Sequence, residues 1–363
     1  MRVAVDVRKL GDGGIGTYIR ETLLAAGRLA ADLDVVAFGF RGEESKLPLP
    51  RVEWIAVRAG KYSIAEHVTL PMAVRRARPD LYHSPHYVLP FGIGCPSVVT
   101  VHDLIHVLVP RTVIHPLYGR WMIASACRRA ARVITVSETT ARDLRERLSV
   151  PAAKIRVIPN GVHPRFRRLA PQVTARTLDA LGVRRPYVLF VGNLLPHKNV
   201  PALIRAFAAL PEPRPDLVLC GAGYGSGSPV WRTVDETGTR ARVRALGTLD
   251  PESLVALYNG AECLATASLY EGFGLPLVEA FACGTPVVAA ATGAVPEVAG
   301  DGAILVPPHR VDLLTDGMYR LLKDPALRQS LVEKGARRAT SFSWEDAARK
   351  TLAIYEEVTS ARR

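Results

Sequence analysis

The sequence predicts an α/β protein of two doubly wound domains, each a parallel sheet covered on both faces by helices. Three observations carry that prediction. Short apolar runs alternate with stretches of helical spacing almost from end to end. At 363 residues the chain is longer than one ordinary core organises. A hydrophobic content of 48% and a mean hydropathy of +0.12 supply enough apolar side chains for strands buried on both faces.

The first run, RVAVDV, leads into GDGGIG, Gly11 to Gly16, and then into the helical pattern TYIRETLLAAGRLA. The loop reads as G-x-G-x-x-G, in which glycines permit a tight turn and the next helix offers N–H groups to a phosphate. Three meanings stay open: a dinucleotide site, another phosphate-bearing ligand, or a structural turn. A dinucleotide site expects an acid at the end of the second strand, roughly 20 residues on. Here DVVAFGF is that strand, and Asp32 and Asp34 stand before or at its start, the wrong end for a ribose.

The runs VEWIAV, LYHSP, SVVTVH, RVITVS and IRVIP complete the first half. One helix between them ends in Arg75, Arg76 and Arg78, and another is read to carry Trp121 and Met122 with Arg128, Arg129 and Arg132. The boundary falls at NGVHPRFRRLAP, residues 160 to 171, rich in Pro and Arg and opened by the turn pair Asn160-Gly161. The expected domains are 1–165 and 166–342. YVLFVG, DLVLCG, VRALG, CLATAS, PVVAAA and AILVPP then repeat the rhythm. A terminal helix over 343–363, with Ser343 as N-cap, is expected to pack back on the first domain.

Charge and cysteine narrow the class. The net charge is +13, and residues 1 to 165 hold 24 Lys and Arg against 14 Asp and Glu. No zinc finger, helix-turn-helix or RNA-binding aromatic pair accompanies this excess, so nucleic acid is not the expected partner. An anionic membrane surface, met through the basic first domain, is the alternative to a solvated face. Five scattered cysteines, no secretory leader and no run of about 18 apolar residues point to a cytoplasmic protein, peripheral at the inner membrane face if it binds lipid.

The densest stretch is ASLYEGFGLPLVEAFACGTPVVA, residues 267 to 289. Glu271 lies in a glycine-containing loop after a strand. Pro276 is read to open a helix carrying Glu279 in its first turn and stopping at Gly284. The helix N-terminus suits a diphosphate, and a carboxylate just inside it can accept from both hydroxyls of a ribose. Complementing the helix dipole is the bland alternative for Glu279.

This segment resembles the E-x7-E motif of the retaining glycosyltransferases of family 4, which have the GT-B fold of two facing Rossmann-like domains. GGIGTYIRETLLA, VVTVHDL, RVITVSETTARDL, IRVIPNGV, YVLFVGNLLPHKN, GTPVVA and VPE stand in that family's order. The resemblance implies that Glu279 grips the ribose and Glu271 sits near the donor sugar. It further implies that the backbone at Phe273, Gly274 and Leu275 contacts sugar and diphosphate, and that Lys198 places a cation on the diphosphate. Gly14, Ile15 and Gly16 would cap the sugar nucleotide, and His102 would stand near the reacting carbon. Asn193 and His197 depart from the basic residues usual at those positions, although Asn193 stays among the donor-binding candidates.

His83, His86, His102, His106 and His115 fall close together, but no HExxH or Cys/His ligand set is present, and DLD at 32–34 precedes a strand, so no metal is expected. His102 should emerge at the carboxyl edge of the first sheet, with Asp103 fixing its tautomer; the other four are read as structural. The expected function is cofactor-free, metal-independent, retaining transfer of a hexose, foremost mannose from GDP-mannose, to a glycan or lipid-linked acceptor. UDP-linked sugars are the near alternative. An NAD-dependent oxidoreductase and a non-catalytic sugar-nucleotide-binding protein are the rivals.

Overall fold

A computed structural model of the chain describes residues 1–109 and 115–361, without the side chains of residues 115–118. Contacts divide it into two compact units, one of Met1–Gly161 with Ser343–Arg363 and one of Val162–Phe342. Both are parallel sheets clothed by helices, so the predicted fold class holds.

In the first unit the strands are β1 Arg2–Asp6, β2 Asp34–Gly39, β3 Val52–Ala56, β4 Leu81–Ser84, β5 Ser97–Val101, β6 Arg132–Thr135 and β7 Ile155–Val157. Their order is β3-β2-β1-β4-β5-β6-β7, with every pair parallel. In the second unit β8 Tyr187–Val191, β9 Asp216–Cys220, β10 Val243–Gly247, β11 Cys263–Thr266, β12 Val287–Ala290 and β13 Ala303–Val306 run in the order β10-β9-β8-β11-β12-β13. The central strands are continuous apolar runs because helices bury them on both faces; β5, β11 and β12 have no exposed residue. In each sheet the order reverses once, at β1/β4 and at β8/β11. Open parallel sheets take ligands at such reversals, beyond the carboxyl ends of the strands.

The terminal helix Trp344–Ser360 belongs to the first unit. Ser343 Oγ accepts from the Asp346 N–H, and Tyr355 is buried against β4, its hydroxyl 2.6 Å from His83 Nδ1. His83 Nε2 meets the Thr100 hydroxyl at 2.9 Å, and that hydroxyl meets Tyr18 of the helix Gly13–Leu29 at 3.0 Å. Burial drives the His83 imidazole down to about 3, so it is a neutral link between the two helices and the sheet. No described helix is long and apolar enough to cross a membrane. None of the five cysteines is in a disulfide.

The glycine loop contains one steric lock. A Cβ on Gly16 would lie 2.2 Å from the Leu10 carbonyl oxygen, so the helix Gly13–Leu29 can sit this close to the end of β1 only with glycine there. Gly16→Ala should cost about 1–3 kcal/mol by overpacking. A fall in the urea midpoint with an unchanged m-value would show this, and an unshifted midpoint would refute the lock.

Candidate active site

In the second unit, two loops meet beyond the β8/β11 reversal. The loop after β8 holds Asn193 and a short 3-10 turn, Pro196–Lys198; the loop after β11 holds Ser268 and Glu271. Lys198 Nζ lies 2.6 Å from Glu271 Oε1, which also accepts from the Ser268 hydroxyl at 2.7 Å. Burial pushes the Glu271 carboxyl up. The Lys198 charge and hydrogen bond, with Ser268 and His197, outweigh it and hold the group below the usual carboxylate range. The backbone is fixed as well: the Leu269 N–H donates to the His197 carbonyl at 2.7 Å, and the Ala294 N–H to the Glu271 carbonyl at 2.8 Å. Gly293, at φ +53°, passes so near that a Cβ would stand 2.2 Å from the Glu271 oxygen.

The helix fed by this loop is Leu275–Cys283, with Gly274 as a left-handed N-cap and Gly284 as its C-cap. It starts one residue earlier than expected, at Leu275 rather than Pro276, and Glu279 therefore lies in the second turn. That removes the first-turn dipole explanation for this carboxylate. Pro276 has no N–H, and the Leu277 N–H bonds to Gly274 O at 3.0 Å, which leaves Leu275 as the first-turn donor. Phe273 is turned inward, edge-on to Phe342 at 5.4 Å, so only its backbone is placed for a ligand.

Glu279 keeps an edge open to solvent, and its Oε2 accepts from the Tyr258 hydroxyl at 2.7 Å. Burial raises its carboxyl to about 7 despite that bond. Tyr258 carries no sequence signal: it sits in the apolar run LVALYNG and reads as core. The loop after β9 was also not foreseen, although the glycines of GAGYG following a strand could have marked it. Asn193 Oδ1 accepts from the Ala222 N–H at 2.9 Å, the Leu194 N–H donates to Ala222 O at 2.8 Å, and Tyr224 Oη donates to Gly192 O at 3.0 Å. Asn193 thus ties two loops together at its carbonyl oxygen.

In the first unit, Gly13 opens the helix after β1. The Ile15 and Gly16 N–H groups both point to Asp12 O, at 3.1 and 3.2 Å. Gly14 is exposed, whereas the Ile15 and Gly16 N–H groups are engaged and Gly16 is buried. Asp12 is paired with Lys9 and Lys61. Asp34 pairs with Arg2 at the amino end of β2, and Asp32 precedes it, so neither stands where a dinucleotide ribose would.

His102 follows β5 as expected. Its Nε2–H donates to the Pro85 carbonyl at 3.0 Å, its ring meets Tyr18 edge-on at 4.8 Å, and its carbonyl accepts from the Thr140 hydroxyl at 3.2 Å. Burial brings the imidazole down to about 4, leaving a neutral ring with Nδ1 as the acceptor. Asp103 does not fix the tautomer: its carboxylate caps the Ile105 N–H at 2.9 Å, and Pro85 fixes the ring. His86 bonds to Tyr62 at 3.0 Å and His106 lies edge-on to Tyr87; the side chain of His115 lies outside the described residues. Among the described residues no three His, Cys, Asp or Glu side chains gather as a metal site would require.

The expected basic helix face is also corrected. Arg132 opens β6 and pairs with Glu357, Met122 is buried, and Arg129 reaches the carbonyls of Leu89 and Pro90.

Comparisons with known proteins agree with this architecture. A family profile described as Glycosyl transferases group 1 matches residues 179–338, and one described as Glycosyltransferase Family 4 matches residues 12–166. The chain is 31% identical to D-inositol 3-phosphate glycosyltransferase of Actinosynnema mirum over 94% of this chain and 92% of the other. It is 28% identical to O-antigen chain mannosyltransferase B of Escherichia coli over 78% and 76%. Among solved structures, Anabaena HepE in complex with UDP-glucose aligns with a TM-score of 0.80 at 21% identity, over 98% of this chain and 100% of that one.

Glu279 ties pH to stability. Its pKa is about 7 in the fold against 4.5 for an ordinary glutamate, so the fold prefers the protonated form. That preference stabilises fully below pH 4.5 and is lost as pH rises toward 7. Glu279→Gln, neutral throughout, should therefore exceed wild type above pH 7 by about 1–3 kcal/mol and match it in acid. Urea unfolding at acid and alkaline pH would measure this; a constant difference would show that Glu279 is not held protonated.

Proposed function

The chain belongs to the group 1 glycosyl transferases, in glycosyltransferase family 4, and from that premise we propose that it transfers a hexose from a nucleotide diphosphate sugar with retention and without a metal. The observation that carries the proposal is the meeting of Lys198 and Glu271 at the β8/β11 reversal, with Glu279 on the helix that follows. Glu279 would accept hydrogen bonds from the ribose hydroxyls. Lys198 would turn toward the diphosphate as charge accumulates on the leaving group, and Glu271 would hold that ammonium and face the sugar. In the first unit, Gly14 is exposed at the start of its helix, and the neutral His102 has Nδ1 to offer as an acceptor, which suits the donor contacts the resemblance implies for them. The acceptor hydroxyl would attack from the face the diphosphate leaves, with the leaving phosphate taking its proton.

Mannose from GDP-mannose is the favoured donor, in line with the mannosyltransferase among the relatives, and a glycan or lipid-linked molecule is the acceptor class. A UDP-linked hexose is the second reading, favoured by the UDP-glucose in the Anabaena complex. Thermal shifts with GDP-mannose, UDP-glucose and NAD separate the cases: GDP-mannose should stabilise most, whereas stabilisation by NAD alone would reject the reading.

Glu279→Ala should weaken nucleotide binding at least about tenfold, since each lost charge-assisted hydrogen bond is worth about 1.5–3 kcal/mol. Unchanged affinity in calorimetry would remove Glu279 from the site. Turnover should survive EDTA, and a loss restored by Mg²⁺ or Mn²⁺ would overturn the metal-free mechanism.

A further inference from the structure

Loops leaving the carboxyl ends of β1, β3 and β4 meet in the first unit. They bring Lys9, Lys61 with Tyr62, and His86 around a recess of about 20 Å³, room for about one water. The floor is paired internally: Arg8 is buried, 2.7 Å from Asp6 and 2.9 Å from Glu66. At the rim, Lys9 Nζ meets the Tyr62 hydroxyl at 2.9 Å, and that hydroxyl meets His86 Nε2 at 3.0 Å. The charged side chains lining the recess are three cations, Arg8, Lys9 and Lys61, against two carboxylates, Asp6 and Glu66.

The excess cation is met from outside the recess. Asp12 holds both ammonium groups, Lys9 on Oδ2 at 3.2 Å and Lys61 on Oδ1, and is the most exposed of the three. Asp12 is also the N-cap of the helix Gly13–Leu29. An N-cap aspartate ordinarily accepts from a first-turn N–H. Here the side chain makes no such bond and turns to the lysines instead, so its carboxylate has two places to go. Tyr62, beside Lys61, is held at φ +61°, a left-handed conformation that costs a bulky side chain energy, and such strain gathers at ligand sites.

Two ammonium groups and a phenol, with one exposed carboxylate between the ammonium groups, have the chemistry of a phosphate site held by a resident anion. We propose that Lys9, Lys61 and Tyr62 bind a phosphomonoester, and that Asp12 occupies the empty site and swings to the helix N-terminus when the phosphate displaces it. The phosphate brings about two negative charges where Asp12 brings one, and the displaced carboxylate gains the capping bond it lacks. Calling this ligand the acceptor, which makes the acceptor a phosphorylated molecule, rests on the hexosyl transfer proposed above; the anion site itself does not. A soluble sugar phosphate and a lipid monophosphate share this group.

The test is calorimetric titration of the full chain with inorganic phosphate, glucose 6-phosphate and dioctanoyl phosphatidic acid, the last below its micelle concentration. Lys61→Met should weaken phosphate binding at least about tenfold. Asp12→Asn, which keeps a capping side chain and removes the competing charge, should tighten it at least about threefold. A merely structural Asp12 predicts no tightening. Unaltered melting curves would confirm that the variants fold; if Lys61→Met does not, Lys61→Gln and Asp12→Asn decide. Glucose 6-phosphate binding more tightly than inorganic phosphate assigns a soluble ligand, and phosphatidic acid binding more tightly assigns a lipid-linked one. No saturable binding of any of the three, or binding that neither variant moves, would overturn the proposal; an anion held at Lys198 instead would give the second result. The thermal shift with sugar nucleotides is read separately. Variants that respond as expected in a chain that no sugar nucleotide stabilises would uphold the site and strike only the acceptor role.

Discussion

Two neighbouring strand ends set the candidate site of this chain. β8 and β11 are adjacent because the strand order reverses between them, and the loops leaving them bring together Lys198 and Glu271, 73 residues apart in sequence. Burial pushes the Glu271 carboxyl up, and the Lys198 charge and hydrogen bond, helped by Ser268 and His197, outweigh it. The surroundings serve that pair: Ser268 supplies a second donor, Ala294 and Leu269 pin the two backbones, and Gly293 leaves the space the loop occupies.

The strands were legible because a buried parallel strand must be apolar along its whole length, and each such run is bounded by turn residues. All thirteen runs named from the sequence are strands in the structure. What was not legible depended on distance in sequence. Tyr258 meets Glu279 across 21 residues, and nothing in an apolar helical run distinguishes a buried hydroxyl with a carboxylate partner from one without. Arg132 and Arg129 read as part of a basic face by spacing, yet Glu357 and the carbonyls of Leu89 and Pro90 engage them. Helix ends moved by a residue for local reasons, as at Leu275, where the left-handed Gly274 is the cap.

The histidines of the first unit show how burial decides between chemistry and structure. His83 has both ring nitrogens engaged by hydroxyls, one from the terminal helix and one from β5, and so joins elements. His102, one strand away, spends only Nε2 on protein, through Pro85, and keeps Nδ1 as an acceptor at the carboxyl edge of the sheet. Both are driven neutral by burial. Their difference is therefore one of hydrogen-bond vacancy, which position on the strand, inside for His83 and just beyond the end for His102, already determines.

The two glutamates of the E-x7-E segment make the same point with opposite signs. Both are carboxylates on one loop-helix unit, yet Glu271 is held ionised by an ammonium and Glu279 is raised to about 7 by burial with only a tyrosine hydroxyl to answer it. The first is electrostatically satisfied before any ligand arrives, so an arriving anion competes with it for Lys198. The second has one protein donor and an edge open to solvent, so its carboxylate keeps lone pairs for further donors. The two carboxylates thus differ in what answers them, an ammonium for Glu271 and a neutral hydroxyl for Glu279.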